Sequence, residues 1–221
     1  MTQTAPHILV TGGGRGIGAA LCVDALGRGW RVSTTLRSGA APAGVTAHPL
    51  DLRDVAALAA LSQAVGPVDI LINNAGIMGP RESALDLVDY AGFAEVLAVN
   101  TLAPLAVSQA LLPNLRAAGG GRILSISSQM SAMGQASSNS IAYRASKVAL
   151  NKVMQGLATD LAPEGIAVAL INPGWVRTDM GGAQADLDPA DVAAGILDIA
   201  DGLTIAQTGQ FLRYDGTPFA W

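Results

Sequence analysis

The sequence predicts an α/β fold in which a doubly wound parallel sheet of about seven strands carries helices on both faces, giving three layers. Short apolar runs alternate with longer amphipathic segments along nearly the whole chain, which is typical of a parallel sheet covered by helices. Several of the short runs are apolar at consecutive positions, which indicates strands that are buried on both faces. Because 221 residues suffice for one domain with a sizeable core, we expect residues 1–221 to form a single domain.

Seven strands and five helices follow from this alternation. Apolar runs predict strands over residues 7–11, 30–36, 45–50, 68–73, 122–127, 166–172 and 210–213. Amphipathic segments predict helices over residues 16–28, 55–65, 90–115, 141–161 and 189–199. Pro163 and Gly165 end the fourth helix, because proline cannot continue a helix and glycine favours the turn that follows one.

Composition narrows the classes of partner. The net charge is −4 and the chain has no Lys or Arg cluster, which argues against binding to nucleic acid phosphates. The single cysteine, Cys22, cannot form an intramolecular disulfide. His7 and His48 lack the spacing to cysteines or acidic residues that metal ligands have, so we expect structural roles for both and no metal site. Small molecules are the expected partners.

The lengths of the apolar runs bear on a membrane location. A run such as residues 166–171 is far shorter than the roughly 20 residues that cross a bilayer. The first residues lack a basic stretch followed by an apolar signal core. We therefore expect no membrane insertion and a cytoplasmic location.

Polar or glycine-rich residues follow the carboxyl ends of five predicted strands. They are Thr11-Gly12, Asp51, Asn73-Asn74, Ser127-Ser128 and Asn172-Pro173-Gly174. In an open doubly wound sheet, ligands bind outside the carboxyl ends of the strands. Turn residues end strands in many proteins, but five such ends together predict one crevice lined by distant parts of the chain.

A glycine-rich loop, residues 11–18 with the sequence TGGGRGIG, connects the first predicted strand directly to the first predicted helix. Glycine permits a tight turn and lets backbone N–H groups approach a pyrophosphate, whose charge then lies at a helix N-terminus. The strand–loop–helix context favours nucleotide binding over a plain turn and makes the predicted sheet Rossmann-type. The spacing is TGxxxGxG rather than GxGxxG.

Tyr143 and Lys147 are four residues apart in the fourth predicted helix and therefore share one face. A phenol ionises near pH ~10, and a neighbouring ammonium would stabilise the phenolate and lower this pKa. We therefore expect Tyr143 to exchange a proton near neutral pH as a general acid or base. A solvated pair on a helix surface is the alternative.

These motifs together resemble the classical short-chain dehydrogenase/reductase family. The resemblance covers the whole chain and rests on the glycine-rich loop, Asn73-Asn74-Ala75-Gly76, Tyr143-x-x-x-Lys147 and Pro173-Gly174, which occur in the family's order. Residues 129–131 (QMS), 143–147 (YRASK), 173–182 (PGWVRTDMGG) and 214–217 (YDGT) are further similar to the carbonyl-reductase branch that includes the sniffer and C-factor proteins. The resemblance implies an oxidoreductase that interconverts an aldehyde or ketone and an alcohol.

The resemblance also implies catalytic roles. Tyr143 would protonate the carbonyl oxygen during reduction, and Lys147 would also hold the nicotinamide ribose. Asn100 would hold a water molecule in a proton relay to the lysine.

Three serines, Ser127, Ser128 and Ser131, compete for the role of hydrogen-bonding the substrate oxygen. The resemblance favours Ser128. Since the stretch from Ser128 to Tyr143 is slightly longer than in many family members, a displaced loop over residues 129–140 would leave Ser127 as the alternative.

The end of the second predicted strand bears on the choice of cofactor. NAD-selective Rossmann sites carry an acidic residue about 20 residues after the glycine-rich loop, which accepts hydrogen bonds from the ribose 2′-OH and repels a 2′-phosphate. Here Leu36 stands where the acid is expected, with Arg37 beside it. Arg15 and Arg37 are the expected phosphate contacts, because planar guanidinium donors suit phosphate oxygens. NADP(H) is therefore the expected cofactor.

The remaining contacts follow from the resemblance. Asp51 is similar to the family's adenine contact and is also a candidate cap of the helix that follows it, and the two roles are compatible. Trp175 and Met180 would wall a substrate pocket together with Ser128 and Tyr143, or else pack in the core. The full expected cofactor set is Gly12, Gly14, Arg15, Gly16, Ile17, Gly18, Arg37, Asp51, Leu52, Asn74, Ala75, Gly76, Tyr143, Lys147, Pro173, Gly174, Val176 and Thr178.

Two features concern the surroundings of the site. The short stretch 181–187 predicts a small or open substrate lid near residues 180–190. Ala145, Ala149 and Gly156 form a stripe of small residues on the helix that carries the tyrosine. This stripe would allow close packing against a second copy, as a dimer or tetramer, or against a helix of the same chain.

Two other functions compete with the enzyme hypothesis. A protein that binds NADP(H) for signalling or sensing, with turnover secondary, fits the similarity to C-factor, although the complete Asn–Ser–Tyr–Lys set disfavours it. A serine hydrolase would need a GxSxG elbow and a histidine partner, and neither lies around Ser127 or Ser128.

Overall fold

The computed structural model describes residues 5–221, and within them seven strands form one sheet. The strands are β1 His7–Thr11, β2 Arg31–Leu36, β3 Thr46–Pro49, β4 Ile70–Asn73, β5 Arg122–Ile126, β6 Ala167–Asn172 and β7 Phe211–Arg213. Their order across the sheet is β3-β2-β1-β4-β5-β6-β7, and each neighbouring pair is parallel. The predicted doubly wound parallel sheet is confirmed, with its topological switch point between β1 and β4.

Helices cover both faces of the sheet. They are α1 Gly16–Gly27, α2 Val55–Val65, α3 Tyr90–Leu97, α4 Ala103–Ala110, α5 Leu112–Ala117, α6 Ile141–Leu161 and α7 Pro189–Gly202. Helices α1 and α7 pack against each other on one face, and α2, α4 and α6 lie on the other. The three predicted layers follow from this arrangement.

Two hydrophobic cores explain why the strand sequences are continuously apolar. In β1, Ile8 and Val10 face the core shared with α1 and α7, whereas Leu9 between them faces the core shared with α2 and α6. All three side chains are completely buried. Because successive side chains of a strand point to opposite faces, a strand covered on both sides needs an apolar residue at each position.

The predicted single helix over residues 90–115 is wrong, because the chain breaks it into α3, α4 and α5. A π-helical turn, Ala98–Leu102, joins α3 to α4. At its end, the N–H of Ala103 donates to the carbonyl of Ala98, five residues back. Pro104 has no N–H to offer the carbonyl of residue 100, four positions before it, so the α-helical ladder cannot continue there. Asn100 lies inside this turn, and π-turns of this kind occur frequently at functional sites.

The same helical stretch, Tyr90–Ala110, is long and apolar enough to cross a membrane. It has 21 residues and a mean hydropathy of 1.4, so the expectation drawn from short apolar runs overlooked it. Length and composition alone are weak evidence, since core helices of globular proteins pass the same test. Here the stretch packs against α6.

The two histidines take no part in a metal cluster within residues 5–221. The ring of His7 is buried, with Nδ1 2.7 Å from the Pro67 carbonyl oxygen and Nε2 2.9 Å from the Ser33 hydroxyl. Burial lowers the pKa of His7 below its usual value, because desolvation disfavours the charged ring. His7 therefore acts as a structural residue that ties β1 to β2.

Candidate active site

The glycine-rich loop between β1 and α1 presents a helix N-terminus to solvent. Gly12 adopts a φ of 73°, a left-handed conformation that other residues rarely adopt. Arg15 occupies the N-cap position with extended backbone, and no side chain caps the first N–H groups of α1. Unpaired N–H groups at the positive end of a helix form an anion-binding site.

Gly18 holds this loop against the end of β4. A Cβ atom at Gly18 would overlap the Gly12 carbonyl oxygen and would lie 2.5 Å from the Asn74 side-chain nitrogen. That nitrogen donates hydrogen bonds to the carbonyls of Thr11 and Gly12, at 3.0 and 3.3 Å. The Asn74 side chain therefore holds the loop in place through these hydrogen bonds. No residue larger than glycine fits at position 18, between the Gly12 carbonyl and Asn74.

The rest of the Asn74-Ala75-Gly76 segment continues along the same edge of the sheet. The backbone N–H groups of Asn74 and Ala75 both donate to the Thr11 hydroxyl, at 3.0 and 3.1 Å. A Cβ atom at Gly76 would lie 3.2 Å from Asn100 Oδ1 and 3.7 Å from Lys147 Nζ. The segment thus runs from the glycine-rich loop to the expected catalytic residues.

Residues at the ends of β2 and β3, and within the glycine-rich loop itself, form the expected site of the cofactor's adenosine half. Leu36 is buried, and its side chain fills the space beside Gly14, where a Cβ would lie 2.9 Å from the leucine methyl. Arg37 and Arg15 are both exposed. Ile17 and Leu52 are half-buried and pack against the two cores. No acidic side chain stands at the end of β2, as the sequence indicates.

Asp51 is held by Arg53 and does not cap α2. The Arg53 Nη2 lies 2.6 Å from Asp51 Oδ2, and its Nε lies 3.0 Å from Oδ1. These hydrogen bonds, with that of the Arg53 backbone N–H and a smaller contribution from Arg37, lower the pKa of Asp51 to about 2. Asp54 is the residue that caps α2, accepting from the N–H groups of Ala56 and Ala57. The candidate capping role of Asp51 was therefore wrong.

Arg15 forms an ion pair with Asp179, at 2.9 Å between Nη1 and Oδ2. Both side chains are more than three-quarters exposed. The methyl group of Thr178 also lies against Gly16, 3.2 Å from where a Cβ would be. The segment that follows β6 therefore folds over the glycine-rich loop.

Residues 173–187, the expected nicotinamide segment and lid, form a turn that is braced by its own hydrogen bonds. Asn172 Oδ1 accepts from the N–H of Gly174 at 3.0 Å. Beyond it, the buried Val176 pairs with Leu187 as a short parallel bridge. Trp175 Nε1 donates to the Gly181 carbonyl at 2.8 Å.

The indole of Trp175 is 44% exposed and Met180 is 37% exposed, so neither residue is part of the hydrophobic core. This excludes the core-packing alternative for both. Pro173, by contrast, is buried, and the half-buried Gly174 next to it has a φ of 75°.

Tyr143 and Lys147 lie on the buried face of α6, not on its surface. Tyr143 is 8% exposed and Lys147 is 4% exposed. Lys147 Nζ lies 5.7 Å from the centroid of the Tyr143 ring and donates a 2.7 Å hydrogen bond to the Ile126 carbonyl at the end of β5. The alternative of a solvated Tyr–Lys pair is excluded by this burial.

Burial shifts the pKa values of these two groups in opposite directions. It lowers the pKa of Lys147 to about 8 and raises the pKa of Tyr143, because desolvation disfavours each charged form. A hydrogen-bonding interaction with the Ser128 hydroxyl partly offsets the shift of Tyr143. The expected lowering of the Tyr143 pKa by the lysine was wrong, because desolvation of the phenol outweighs the other contributions.

Asn100 is completely buried and links the π-helical turn to Ile77 and to α6. Its Oδ1 accepts from the Ile77 N–H at 2.9 Å, and its Nδ2 donates to the Ile77 carbonyl at 2.8 Å. The same Nδ2 donates to the Ser146 hydroxyl on α6 at 3.1 Å. Asn100 therefore lies between the residue after Gly76 and the helix that carries Lys147.

The three serines after β5 occupy different environments. Ser127 and Ser131 are each 1% exposed and hydrogen-bond to Asn151 inside the protein. Ser128 is half-buried; its Oγ accepts from the Met130 N–H at 3.1 Å, which leaves its own O–H free to donate. Ser128 is also the serine that interacts with Tyr143. Of these serines, Ser128 is the more exposed and lies toward Tyr143, whereas Ser127 is turned inward.

The structure therefore brings most of the expected site together, and it adds three residues that sequence reasoning missed. Asp179 pairs with Arg15, Arg53 binds Asp51, and Asn151 connects the serines to α6. Asn151 had a detectable signal, because it follows Lys147 by four residues and so shares its helix face. Asn73 and Ser127 are buried in hydrogen-bonded positions and do not line the crevice predicted from five strand ends.

A parallel doubly wound sheet with an uncapped glycine-rich loop at its switch point defines a Rossmann-type protein. The chain belongs to the short-chain dehydrogenase family, whose model, described as short chain dehydrogenase, matches residues 6–188.

Among proteins of known sequence, the chain is similar to the C-signal protein of Myxococcus xanthus. The two are 44% identical over 157 residues, which cover 71% of this chain and 94% of the relative.

Two solved structures share the fold along nearly the whole chain. The carbonyl reductase Sniffer of D. melanogaster matches with a TM-score of 0.90 and 29% identity, covering 98% of this chain and all of that one (100%). The NADPH-bound carbonyl reductase from chicken fatty liver matches with a TM-score of 0.89 and 27% identity, covering 99% and 100% of the two chains. The similarity to the carbonyl-reductase branch inferred from the motifs is confirmed.

Proposed function

We propose that this protein is an NADP(H)-dependent oxidoreductase that interconverts an aldehyde or ketone and the corresponding alcohol. One observation carries the proposal: the buried Tyr143 of α6 interacts with the Ser128 hydroxyl and has Lys147 Nζ 5.7 Å from the centroid of its ring. Gly76 lies beside both Asn100 and the same lysine. These groups can polarise a carbonyl oxygen and deliver a proton to it.

The glycine-rich loop supports a dinucleotide as cofactor. Its uncapped N–H groups would hold the pyrophosphate, and the close contact of Gly18 with Asn74 keeps the loop in the required turn. Arg15 and Arg37 are exposed beside an apolar strand end, which favours a 2′-phosphate over a free ribose hydroxyl. Bound NADPH would supply the hydride for reduction.

The side chains of this chain would supply the proton. Because burial raises the pKa of Tyr143, its phenol is protonated at neutral pH and can donate to the carbonyl oxygen as negative charge develops there. The free O–H of Ser128 would donate a hydrogen bond to the same oxygen. Lys147 is protonated below its pKa of about 8, and its charge would stabilise the phenolate that remains.

The turn over residues 173–187 would complete the site. Trp175 and Met180 are exposed side chains of this turn and would form the wall of the substrate pocket. The hydrogen bond between the Trp175 indole and the Gly181 carbonyl gives the wall a defined shape. Residues 180–190 would then act as a short lid within a single oxidoreductase domain.

The proposal is tested by mixing the protein with NADPH or NADH and a panel of ketones, aldehydes and secondary alcohols. Absorbance of the reduced cofactor reports turnover, and we expect NADPH to be preferred. Arg15→Ala and Arg37→Ala should each reduce the ratio of the turnover rate with NADPH to the turnover rate with NADH. Turnover with NADH as fast as with NADPH would contradict the assignment of both arginines as contacts of the 2′-phosphate. If no carbonyl compound is turned over, the proposed oxidoreductase activity is contradicted.

A second candidate function is signalling, favoured by the 44% identity to C-signal of Myxococcus xanthus. In that case cofactor binding would matter in the cell and turnover would be secondary. A Tyr143→Phe variant separates the two, because it removes the proposed proton donor and leaves the glycine-rich loop intact. A cellular role that survives this variant would favour signalling.

A further inference from the structure

Asn151 lies on the same face of α6 as the proposed acid and the lysine. It follows Lys147 by four residues and Tyr143 by eight, so the three side chains are stacked along one side of the helix. Asn151 is 4% exposed. It does not touch the glycine-rich loop; its partners are the two buried serines that flank Ser128.

A chain of hydrogen bonds runs from Asn151 to the backbone of Ser128. Asn151 Nδ2 donates to the Ser131 hydroxyl at 2.9 Å, and that hydroxyl donates to the Ser128 carbonyl at 2.7 Å. On the other side, the Ser127 hydroxyl donates to Asn151 Oδ1 at 2.5 Å. Both polar atoms of the amide are therefore used, and each hydroxyl has a donor role.

The direction of these bonds matters because a hydroxyl has only one proton to donate. Since the Asn151 N–H reaches the lone pair of Ser131, the single Ser131 proton is directed at the Ser128 carbonyl. An amide can donate to one serine and accept from the other, which a carboxylate or an apolar side chain of the same size cannot do. The network is buried, where a lost hydrogen bond is costly.

We propose that Asn151 is a positioning residue that, through Ser131, fixes the Ser128 backbone relative to the helix that carries Tyr143. The inference rests on the proposed function, in which the Ser128 hydroxyl faces the reacting oxygen. Three hydrogen bonds hold this serine: the Met130 N–H orients its hydroxyl, and its carbonyl accepts from both the Ser131 hydroxyl at 2.7 Å and the Ser131 backbone N–H at 3.1 Å. Because β5 and α6 are separate elements, the Asn151 bridge, together with the Lys147–Ile126 hydrogen bond, sets the distance between the serine and the tyrosine.

The test compares Asn151→Ala and Ser131→Ala with the wild-type enzyme, using NADPH and a carbonyl substrate from the panel. Misplacing a catalytic group by a fraction of an ångström lowers kcat, and we expect a loss of roughly 10- to 100-fold in both variants. The dissociation constant for NADPH, measured by its fluorescence, should not change, because the glycine-rich loop is untouched. Ser131→Ala removes one hydroxyl and serves if Asn151→Ala folds poorly.

A matched control is Asn114→Ala. Asn114 is also a buried amide, with Nδ2 bonded to the carbonyls of Ser62 and Gly66, but it lies at α5, away from the site. We expect it to lower the thermal stability as Asn151→Ala does while leaving kcat unchanged.

The decisive step combines each change with Ser128→Ala. If Asn151 and Ser131 act through Ser128, they should cause little further loss of kcat once the Ser128 hydroxyl is absent. Equal losses in both backgrounds, or a kcat unchanged in Asn151→Ala, would overturn the positioning role. Full activity of Ser128→Ala alone would instead contradict the proposed function itself.

Discussion

Lys147 Nζ donates its hydrogen bond to the Ile126 carbonyl while lying 5.7 Å from the centroid of the Tyr143 ring. The ammonium is thus anchored to the end of β5 and held beside the ring of Tyr143. Desolvation governs both groups, raising the pKa of Tyr143 and lowering the pKa of Lys147 to about 8. The raised pKa of Tyr143 keeps the phenol protonated at neutral pH, where Lys147 is still charged.

The lowered pKa of Lys147 predicts a pH-dependent stability. Between about 8 and its usual 10.5, the unfolded chain binds this proton and the folded chain does not, so stability rises with pH in this window. Relative to Lys147→Met, the free energy of unfolding of the wild type should therefore rise by about 2 kcal/mol from roughly pH 7 to roughly pH 9.5. Urea denaturation at several pH values measures this difference.

Lys152→Met is the control for that experiment, since Lys152 is exposed on the same helix. Its stability difference from the wild type should stay flat with pH. A flat difference for Lys147→Met as well would show that the buried ammonium is not desolvated as the structure indicates.

Two glycines of α1 predict opposite effects of the same substitution. Gly18→Ala would place a Cβ against the Gly12 carbonyl and 2.5 Å from Asn74 Nδ2, so the loop must shift. We expect a loss of about 1–3 kcal/mol in unfolding free energy and strongly weakened NADPH binding. Gly27, by contrast, has no heavy atom within 4 Å of its Cβ position.

Gly27→Ala should therefore stabilise the protein by about 0.4–1 kcal/mol, because alanine lowers the conformational entropy of the unfolded chain. NADPH binding should remain unchanged. Thermal denaturation and a fluorescence titration of NADPH test both variants. Unchanged NADPH binding in Gly18→Ala would contradict the proposed cofactor site.

The Arg15–Asp179 ion pair predicts a competition with the cofactor phosphate. Asp179→Asn removes the carboxylate that holds Arg15 at 2.9 Å. Because exposed ion pairs contribute about 0.2–1 kcal/mol, NADPH affinity should rise by up to about fivefold, with a smaller change for NADH. The dissociation constants of both cofactors at low ionic strength measure the effect.

Glu164→Gln is the matched control, since it removes the carboxylate of another exposed pair, with Arg116, far from the loop. It should change neither affinity. Weaker NADPH binding in Asp179→Asn would indicate that Asp179 supports the cofactor site and does not compete with it.

Most of the fold was predictable because burial on both faces leaves a strong signal in the sequence. In β1, Ile8, Leu9 and Val10 are each completely buried, as in β4 and β6, and all seven strands lie within two residues of their predicted bounds although β3 is mostly exposed. Helices α2 and α6 agree with the prediction at both ends. The break at Asn100 was missed because apolar periodicity continues through it, although Pro104 carried the signal.

The candidate site was predictable where backbone geometry constrains the residue type. It was less predictable where a side chain forms an ion pair or hydrogen bond with a residue distant in sequence. Glycines 12 and 18 are required by the left-handed turn and by contact with Asn74. The sequence could not tell that Arg15 would select Asp179, or that Ser127 would turn inward to Asn151. Such contacts depend on how separate elements pack, which periodicity does not describe.

The central claim is that Tyr143 donates the proton that accompanies hydride transfer. Tyr143→Phe removes only the phenol oxygen, and Tyr214→Phe is a matched control on the loop after β7. For Tyr143→Phe we expect kcat for NADPH-dependent carbonyl reduction to fall by roughly 10²- to 10⁴-fold with the dissociation constant for NADPH unchanged. Tyr214→Phe should retain activity. A Tyr143→Phe variant that reduces carbonyls at the wild-type rate would contradict the account.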